Sequence, residues 1–182
     1  MPPDLPPPWK QFLEELDALL SEPVELHCIG GFAVVAAYHL PRSTNDLDYY
    51  TLIPVDCEEK LEQLAGQASA LARKYKVYVH RAAVASLPVN YEERLTEPFA
   101  GRFHNIRFFV LDPYDLVLSK LSRNANRDRE DVAFLAKTLN LDAATLRERY
   151  EREMKNVLIG PPERHHHTLK FWIEAYFNNT LS

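Results

Sequence analysis

The stretch from Val24 to Ile53 constrains the fold more than any other part of the chain. VELHCI is short, apolar and rich in strand-forming residues, and it ends abruptly at Gly30-Gly31. The following FAVVAAYHL reads as a buried helix that Pro41 ends. DLDYYTLI is a second strand, introduced by Thr44-Asn45 and closed by Pro54. A strand that turns at two glycines into a helix and returns as a strand requires a sheet with a helix packed on it. The fold class predicted is therefore α+β, with a small mixed β-sheet and flanking helices.

The rest of the pattern extends this unit. Residues 1–8 form a proline-stiffened, extended lead-in, and Trp9, Phe12, Leu13, Leu16, Leu19 and Leu20 then recur at helical spacing. Residues 57–76 keep a helical period through Leu61, Leu64, Ala68, Leu71, Ala72 and Tyr75. VYVHRAAV is a third strand, LPVNYEERLTEPFAG reads as a loop, and a fourth strand is expected around Ile106–Leu111. Asp112-Pro113 is a helix start, because the carboxylate can cap the first N–H groups and proline sits where its missing N–H costs nothing. Helices are expected at 113–123, 128–139, 142–158 and 164–178. The organisation predicted is a lead-in over 1–8, an α/β core over 9–112 and a helical C-terminal region over 113–182.

Composition narrows the classes of function. The chain has 182 residues, 46% hydrophobic and 26% charged, which excludes a disordered or collagen-like chain. No apolar run approaches ~20 residues, so no membrane span is expected, and the proline-rich start lacks the basic-then-apolar order of a secretory signal. Two cysteines are too few for a disulfide framework, and a reducing cytoplasm is the expected location. The net charge of −5 is uneven: residues 1–69 carry 3 basic and 12 acidic side chains, whereas residues 70–129 carry 11 and 6. An acidic third beside a basic one suits carboxylates that hold a metal and cations that receive phosphates, as well as ordinary surface charge.

The chemistry concentrates in Gly30, Gly31, Arg42, Thr44, Asp46 and Asp48. A glycine turn that opens a helix presents free backbone N–H groups to a phosphate, with no Cβ in the way and a helix dipole favouring the anion. Asp46 and Asp48 are alternate residues of one strand, so both carboxylates leave the same face while Leu47 leaves the other. Two hard oxygen donors on a rigid element suit Mg²⁺, which also takes phosphate oxygens. Arg42 precedes them, where a guanidinium could meet a phosphate. A solvated strand edge also carries D-x-D, and it is the order of the elements that separates the two readings.

GGFAVVAAYHLPRSTNDLDYY resembles the signature of nucleotidyltransferases of the DNA polymerase β superfamily, and is most similar to the minimal, toxin-type branch of AbiEii-like proteins. DPYDLVLSKLSRNANRDREDVAFL resembles that family's later helical segment, and together the likeness spans most of residues 24–136. It implies Mg²⁺-dependent transfer of a nucleoside monophosphate from an NTP to an acceptor, either an RNA such as tRNA or a protein hydroxyl. It further implies a toxin–antitoxin or phage-defence role with a cognate antitoxin as partner. Asp46 and Asp48 would be the metal ligands and catalytic carboxylates. Gly30, Gly31, Arg42 and Thr44 would bind the nucleotide. Lys120, with Arg123, would neutralise phosphate charge, and Asp131 or Asp128 would orient a base or assist the acceptor.

Two features run against the pattern. Sites of this superfamily commonly use a third carboxylate on a later strand, and neither VYVHRAAV nor HNIRFFVL supplies one before Asp112. This keeps open a catalytically weak nucleotide-binding module, or a structural adaptor whose D-x-D is incidental. Lys120, Arg123 and Arg127 fall at i, i+3 and i+7, and Arg127 and Asp131 at i, i+4, which an ordinary solvated helix face would also show. His165-His166-His167 is not a metal site on a helix, since adjacent side chains diverge by ~100°. His80, in mid-strand, reads as a hydrogen-bonded structural histidine, and Phe171, Trp172, Tyr176 and Phe177 as a docking face.

Overall fold

A four-stranded mixed sheet organises the first half of the chain. The computed structural model describes residues 4–177. These divide into two compact units, one formed by residues up to 83 with 95–111, the other by residues 84–94 with 112 onward.

In the first unit the elements run α1 (Trp9–Leu19), β1 (Val24–Ile29), α2 (Gly30–Tyr38), β2 (Asp46–Ile53), α3 (Glu58–Ala65), α4 (Ala70–Tyr75), β3 (Tyr78–Arg81) and β4 (Ile106–Val110). The strand order is β3-β2-β1-β4. β1 pairs antiparallel with β2 and parallel with β4, while β2 pairs parallel with β3. The α+β class expected from the sequence is the one observed. Trp9, Phe12, Leu13 and Leu16 form the buried stripe of α1, and Leu19, expected to share it, is exposed. Trp9 meets Phe12 and Phe32 edge-on at ring separations of 5.6 and 4.8 Å, which joins α1 and α2 in one aromatic core.

Several boundaries differ from the periodicity. The helix predicted over 57–76 is broken in two. α3 ends at Gly66, and the hydroxyl of Ser69 accepts the Ala72 N–H at 3.0 Å to start α4. Periodicity survived across the break because both pieces bury the same side. The strand expected over VYVHRAAV shortens to Tyr78–Arg81. In β2 the register shifts opposite His27 and Cys28, so that Thr51 pairs with His27 and Tyr49 with Cys28. Tyr50 is the extra residue of a bulge, which reverses the alternation and leaves Tyr50 and Ile53 exposed. Of the lead-in predicted over 1–8, residues 1–3 lie outside the described residues, and Leu5 is buried.

The second unit is helical: α5 (Pro113–Ser119), α6 (Asn126–Thr138), α7 (Ala143–Arg149) and α8 (Pro162–Trp172), with π-helical turns at Tyr150–Met154 and Ile173–Phe177 prolonging α7 and α8. Residue 178, expected in the last helix, lies outside the described residues. Asp112 caps α5 through the N–H groups of Tyr114 and Asp115, as its sequence context predicts. Asp115 is fully buried and receives the guanidinium of Arg94 at 2.9 and 3.1 Å and that of Arg149 at 2.9 Å. Burial raises its carboxyl above the ordinary value, and the two guanidinium groups oppose that rise. Arg94 also reaches Glu153 at 2.6 Å, so the stretch read as a loop is tied into this unit by buried charge.

The start of β4 depends on one carboxylate. Asp17 of α1 accepts the backbone N–H groups of His104, Asn105 and Ile106 at 2.9, 2.7 and 2.9 Å. Three charge-assisted bonds to a single side chain are lost together in Asp17→Ala, which should destabilise the protein by about 2 kcal/mol. Urea unfolding measures it, with no change expected in the denaturant slope.

Candidate functional site

Six residues singled out in the sequence meet at one end of β1. Gly30 begins α2 with a φ of +70°, a conformation that side chains rarely adopt. β2 lies beside β1 with Asp48 opposite Ile29, which brings the Asp48 carboxylate against the turn. A Cβ placed on Gly30 would stand 2.6 Å from Asp48 Oδ2, so only glycine permits this approach. At Gly31 the equivalent position lies 3.1 Å from a guanidinium nitrogen of Arg42 and 3.2 Å from Thr44 Oγ1. The glycine turn, the guanidinium, the threonine and the two aspartates are thus neighbours in space.

Each carboxylate is held. Leu47 and Tyr49 are buried under the sheet while Asp46 and Asp48 are half-buried on its other face, as strand alternation requires. The Thr44 hydroxyl donates to Asp46 Oδ1 at 3.1 Å. Thr44 is in turn fixed by α1, because the indole N–H of Trp9 donates to its backbone oxygen at 3.1 Å. Nδ1 of His80 lies 3.0 Å from Asp48 Oδ1, leaving Oδ2 on the side of Gly30.

His80 and Tyr78 are the residues the sequence reading missed. β3 runs parallel to β2 with Asp46 opposite Tyr78 and Asp48 opposite His80, so these two share the face of the carboxylates. Burial raises the Tyr78 phenol, and the Asp46 and Asp48 charges raise it further. Burial, with Asp48 second, also raises the Cys28 thiol, which is inert as a nucleophile. His80 is hydrogen-bonded, as its mid-strand place suggests, but it is 59% exposed and its partner is Asp48 of the candidate site. The signal was present: positions 78 and 80 alternate as 46 and 48 do, but only the pairing of β2 with β3 brings the two sets together.

In the second unit Lys120, Arg123, Asp128 and Asp131 form a cluster of their own. Nζ of Lys120 donates to Asp131 at 2.8 Å and lies 3.7 Å from Asp128, with all three side chains nearly or fully buried. Arg123 grips Asp128 through two bonds of 2.8 and 2.6 Å. Asp128 also accepts the Ala125 N–H at 2.9 Å, at the start of α6. Burial alone would raise its carboxyl, but Arg123, the Ala125 N–H and Lys120 outweigh burial and hold it below the ordinary carboxylate value. The face expected from Lys120, Arg123 and Arg127 is interrupted, since α5 ends at Ser119 and α6 begins at Asn126. Asp131 pairs with Lys120 across this break. His165 is buried with Nε2 on the Ile159 carbonyl oxygen at 2.8 Å. Among the described residues no three His, Cys, Asp or Glu side chains gather as a metal-binding group.

Comparison with known families bears on this geometry. Residues 10–181 match a family described as "Nucleotidyltransferase of unknown function (DUF6036)". The chain belongs to that family. The match spans both units, and membership implies a nucleotide as substrate. No curated protein and no solved structure matches the chain. Among the described residues of this nucleotidyltransferase family member, no helix is long and apolar enough to cross a membrane.

Gly101 provides a control for the turn. Its φ of +72° matches that of Gly30, yet a Cβ there meets nothing within 4 Å. Gly101→Ala should therefore cost about 1 kcal/mol, the price of the left-handed conformation alone. Gly30→Ala should cost about 1 kcal/mol more, from displacing Asp48. Equal losses in denaturant unfolding would show that Asp48 does not press on the turn.

Proposed function

We propose that this protein transfers a nucleoside monophosphate from an NTP to an acceptor hydroxyl, at the turn of Gly30 and Gly31. The observation that carries the reading is the approach of the Asp48 carboxylate to Gly30, with Arg42 and Thr44 at Gly31. The acceptor oxygen forms a bond to the α-phosphorus, the bond from that phosphorus to the β-phosphate oxygen breaks, and pyrophosphate leaves. The acceptor's proton passes to solvent.

The chain supplies binding and orientation. The first N–H groups of α2 have no intrahelical partner and its N-cap residue Ile29 offers no side-chain bond, and a helix N-terminus of this kind suits phosphate oxygens. The Arg42 guanidinium stands beside them and meets the same anion. Thr44 orients Asp46, and His80 orients Asp48. Asp46 and Asp48 fit Mg²⁺, which is held by one or two carboxylates together with substrate phosphates rather than by a complete protein cage. When bound, that ion supplies neutralisation of phosphate charge as the transfer proceeds. Lys120 and Arg123, which the resemblance implies for phosphate charge, and Asp131, which it implies for the acceptor, are held in ion pairs within the second unit and take no step in this scheme.

An acceptor of RNA or protein, and action as a growth-inhibiting toxin opposed by an antitoxin, extend the proposal on the strength of the resemblance. A second reading, nucleotide binding without transfer, is favoured by the strands themselves: β3 and β4 carry no Asp or Glu.

Incubation with each α-labelled NTP, Mg²⁺ and total RNA plus protein extract separates these readings. Label should enter an acceptor, and Asp46→Ala/Asp48→Ala or excess EDTA should lower it by about a hundredfold or more. Equal labelling by the double variant would remove the metal role, and retention of NTP without transfer would establish the second reading. Growth arrest on expression, relieved by the same variant, tests the toxin role. His80 acts as a positioning residue, so His80→Ala should lower turnover about tenfold while His80→Asn, which can still hydrogen-bond Asp48, recovers most of it.

A further inference from the structure

A cavity of about 330 Å³ lies within the first unit, next to the residues just described. Arg42 and Thr44 belong to its wall, whereas Gly30, Asp46, Asp48 and His80 do not. We infer that this cavity is a second nucleotide subsite, which holds a nucleoside monophosphate unit as the acceptor beside the transfer site. The inference rests on the reading that Asp46 and Asp48 carry the transfer.

Charge is the first support. Arg42 and Lys76 line the cavity and no carboxylate does, in a protein with 26 acidic residues. Such a lining favours an anion. Shape is the second. The prolines 6–8, Val35 and Tyr75 give apolar walls, which suit a base and ribose better than a bare phosphate. The volume is at the small end for ligand pockets, room for one such unit and not for a length of strand. An acceptor presented as a protein hydroxyl carries no anion and gains nothing from the two cations.

Position is the third support. Val35 lies in the middle of α2, so the cavity runs along the flank of that helix rather than at its N-terminus. Thr44 joins the two places, since its hydroxyl donates to Asp46. Arg42 does the same from the other side, with its guanidinium at Gly31. An occupant is therefore one side chain away from the carboxylates, where an attacking hydroxyl belongs.

Lys76 is the residue that sets the subsite apart. It caps α4 with a φ of +62°, where glycine or asparagine is the usual occupant. The helix dipole gives no need for it, because Arg73 and Lys74 already lie in the last turn of α4.

The test uses the full chain and three probes: each nucleoside monophosphate, a fluorescein-labelled ten-nucleotide RNA with a free 3′ hydroxyl, and each Mg·NTP. Lys76→Asn removes the cation and tolerates the left-handed backbone, and Ser43→Glu puts a negative charge on the exposed edge of the wall. Matching thermal melts show that both variants fold. Both should bind the first two probes about tenfold more weakly and Mg·NTP as the natural sequence does. Lys76→Asn should also flatten the salt dependence of RNA binding by about 0.7 in the log–log slope. Tight binding of RNA with weak binding of monophosphates identifies a strand end as the occupant; the reverse identifies a free nucleotide. Absence of both probes from the natural protein, or unchanged affinity in both variants, overturns the subsite. An equal loss for Mg·NTP also overturns it, by making the cavity part of the donor site. If Mg·NTP binds no form of the protein while the other probes behave as described, the transfer reading falls and with it the acceptor role, and the cavity stands as a nucleotide-binding site only.

Discussion

The candidate site depends on β2 lying between an antiparallel and a parallel neighbour. The antiparallel register with β1 sets Asp48 opposite Ile29, one residue before the glycine turn, and the parallel register with β3 sets His80 beside the same carboxylate. Strand pairing is two-fold periodic, so a slip of one residue on either side would turn both aspartates to the buried face and Leu47 and Tyr49 to solvent. The hydrophobic cost of that slip is several kcal/mol, since each large side chain is worth ~1.5–3 kcal/mol when buried. The packing of Leu47 and Tyr49 thus holds the carboxylates in place as firmly as any bond they make. Gly30 is the other half of the constraint, because the close register leaves no room for a Cβ at the turn.

α1 looks incidental in the sequence and is not. Its Trp9 is wholly buried against Phe12 and Phe32, and its single polar atom is spent on the backbone oxygen of Thr44. The segment between α2 and β2 carries Arg42 and Thr44 but has no regular structure of its own, so an anchor from outside is what gives it one position. Asp17, on the same helix, does this for the entry into β4. One amphipathic helix therefore fixes two irregular segments of the unit, one by an indole and one by a carboxylate. Functional groups carried on loops need such support if they are to keep their geometry.

What could be read from the chain follows the range of the interactions involved. The glycine turn, the shared face of Asp46 and Asp48 and the cap at Asp112 are local, and residue type with spacing was enough for each. Gly66 and Ser69 were local as well, yet a helical period continuing through them hid the break, since two short helices that bury one side look like a single long one. The bulge at Tyr50 was invisible because it is defined by the partner strand. The pairing of Tyr78 and His80 with the aspartates has the same origin, across some thirty residues of sequence. Lys120 and Asp131 were legible as an acid and a base on neighbouring helical segments; that they neutralise each other under cover was not, because burial is a property of the packed unit. The fully buried Asp115 between Arg94 and Arg149 is the extreme case. Nothing local distinguishes it from a surface aspartate, and its partners lie 21 and 34 residues away.

The charges of the first unit bear on how a nucleotide could be accepted there. A phosphate oxygen ~4 Å from a carboxylate is repelled by about 4 kcal/mol at an effective dielectric of ~20. On the proposed reading Asp46 and Asp48 impose that repulsion twice, so the anion cannot settle on their account alone. The favourable elements both lie at their border: the N-terminus of α2 and the Arg42 guanidinium. On the proposed reading such a layout gives the polyphosphate a seat next to the carboxylates rather than on them. A site built for tight nucleotide storage would have no reason to keep two carboxylates in that position, since replacing either with an amide would strengthen anion binding. Two carboxylates beside a phosphate-seeking turn suit a reaction in which charge moves between oxygens, and on the proposed reading this weighs for transfer over binding alone.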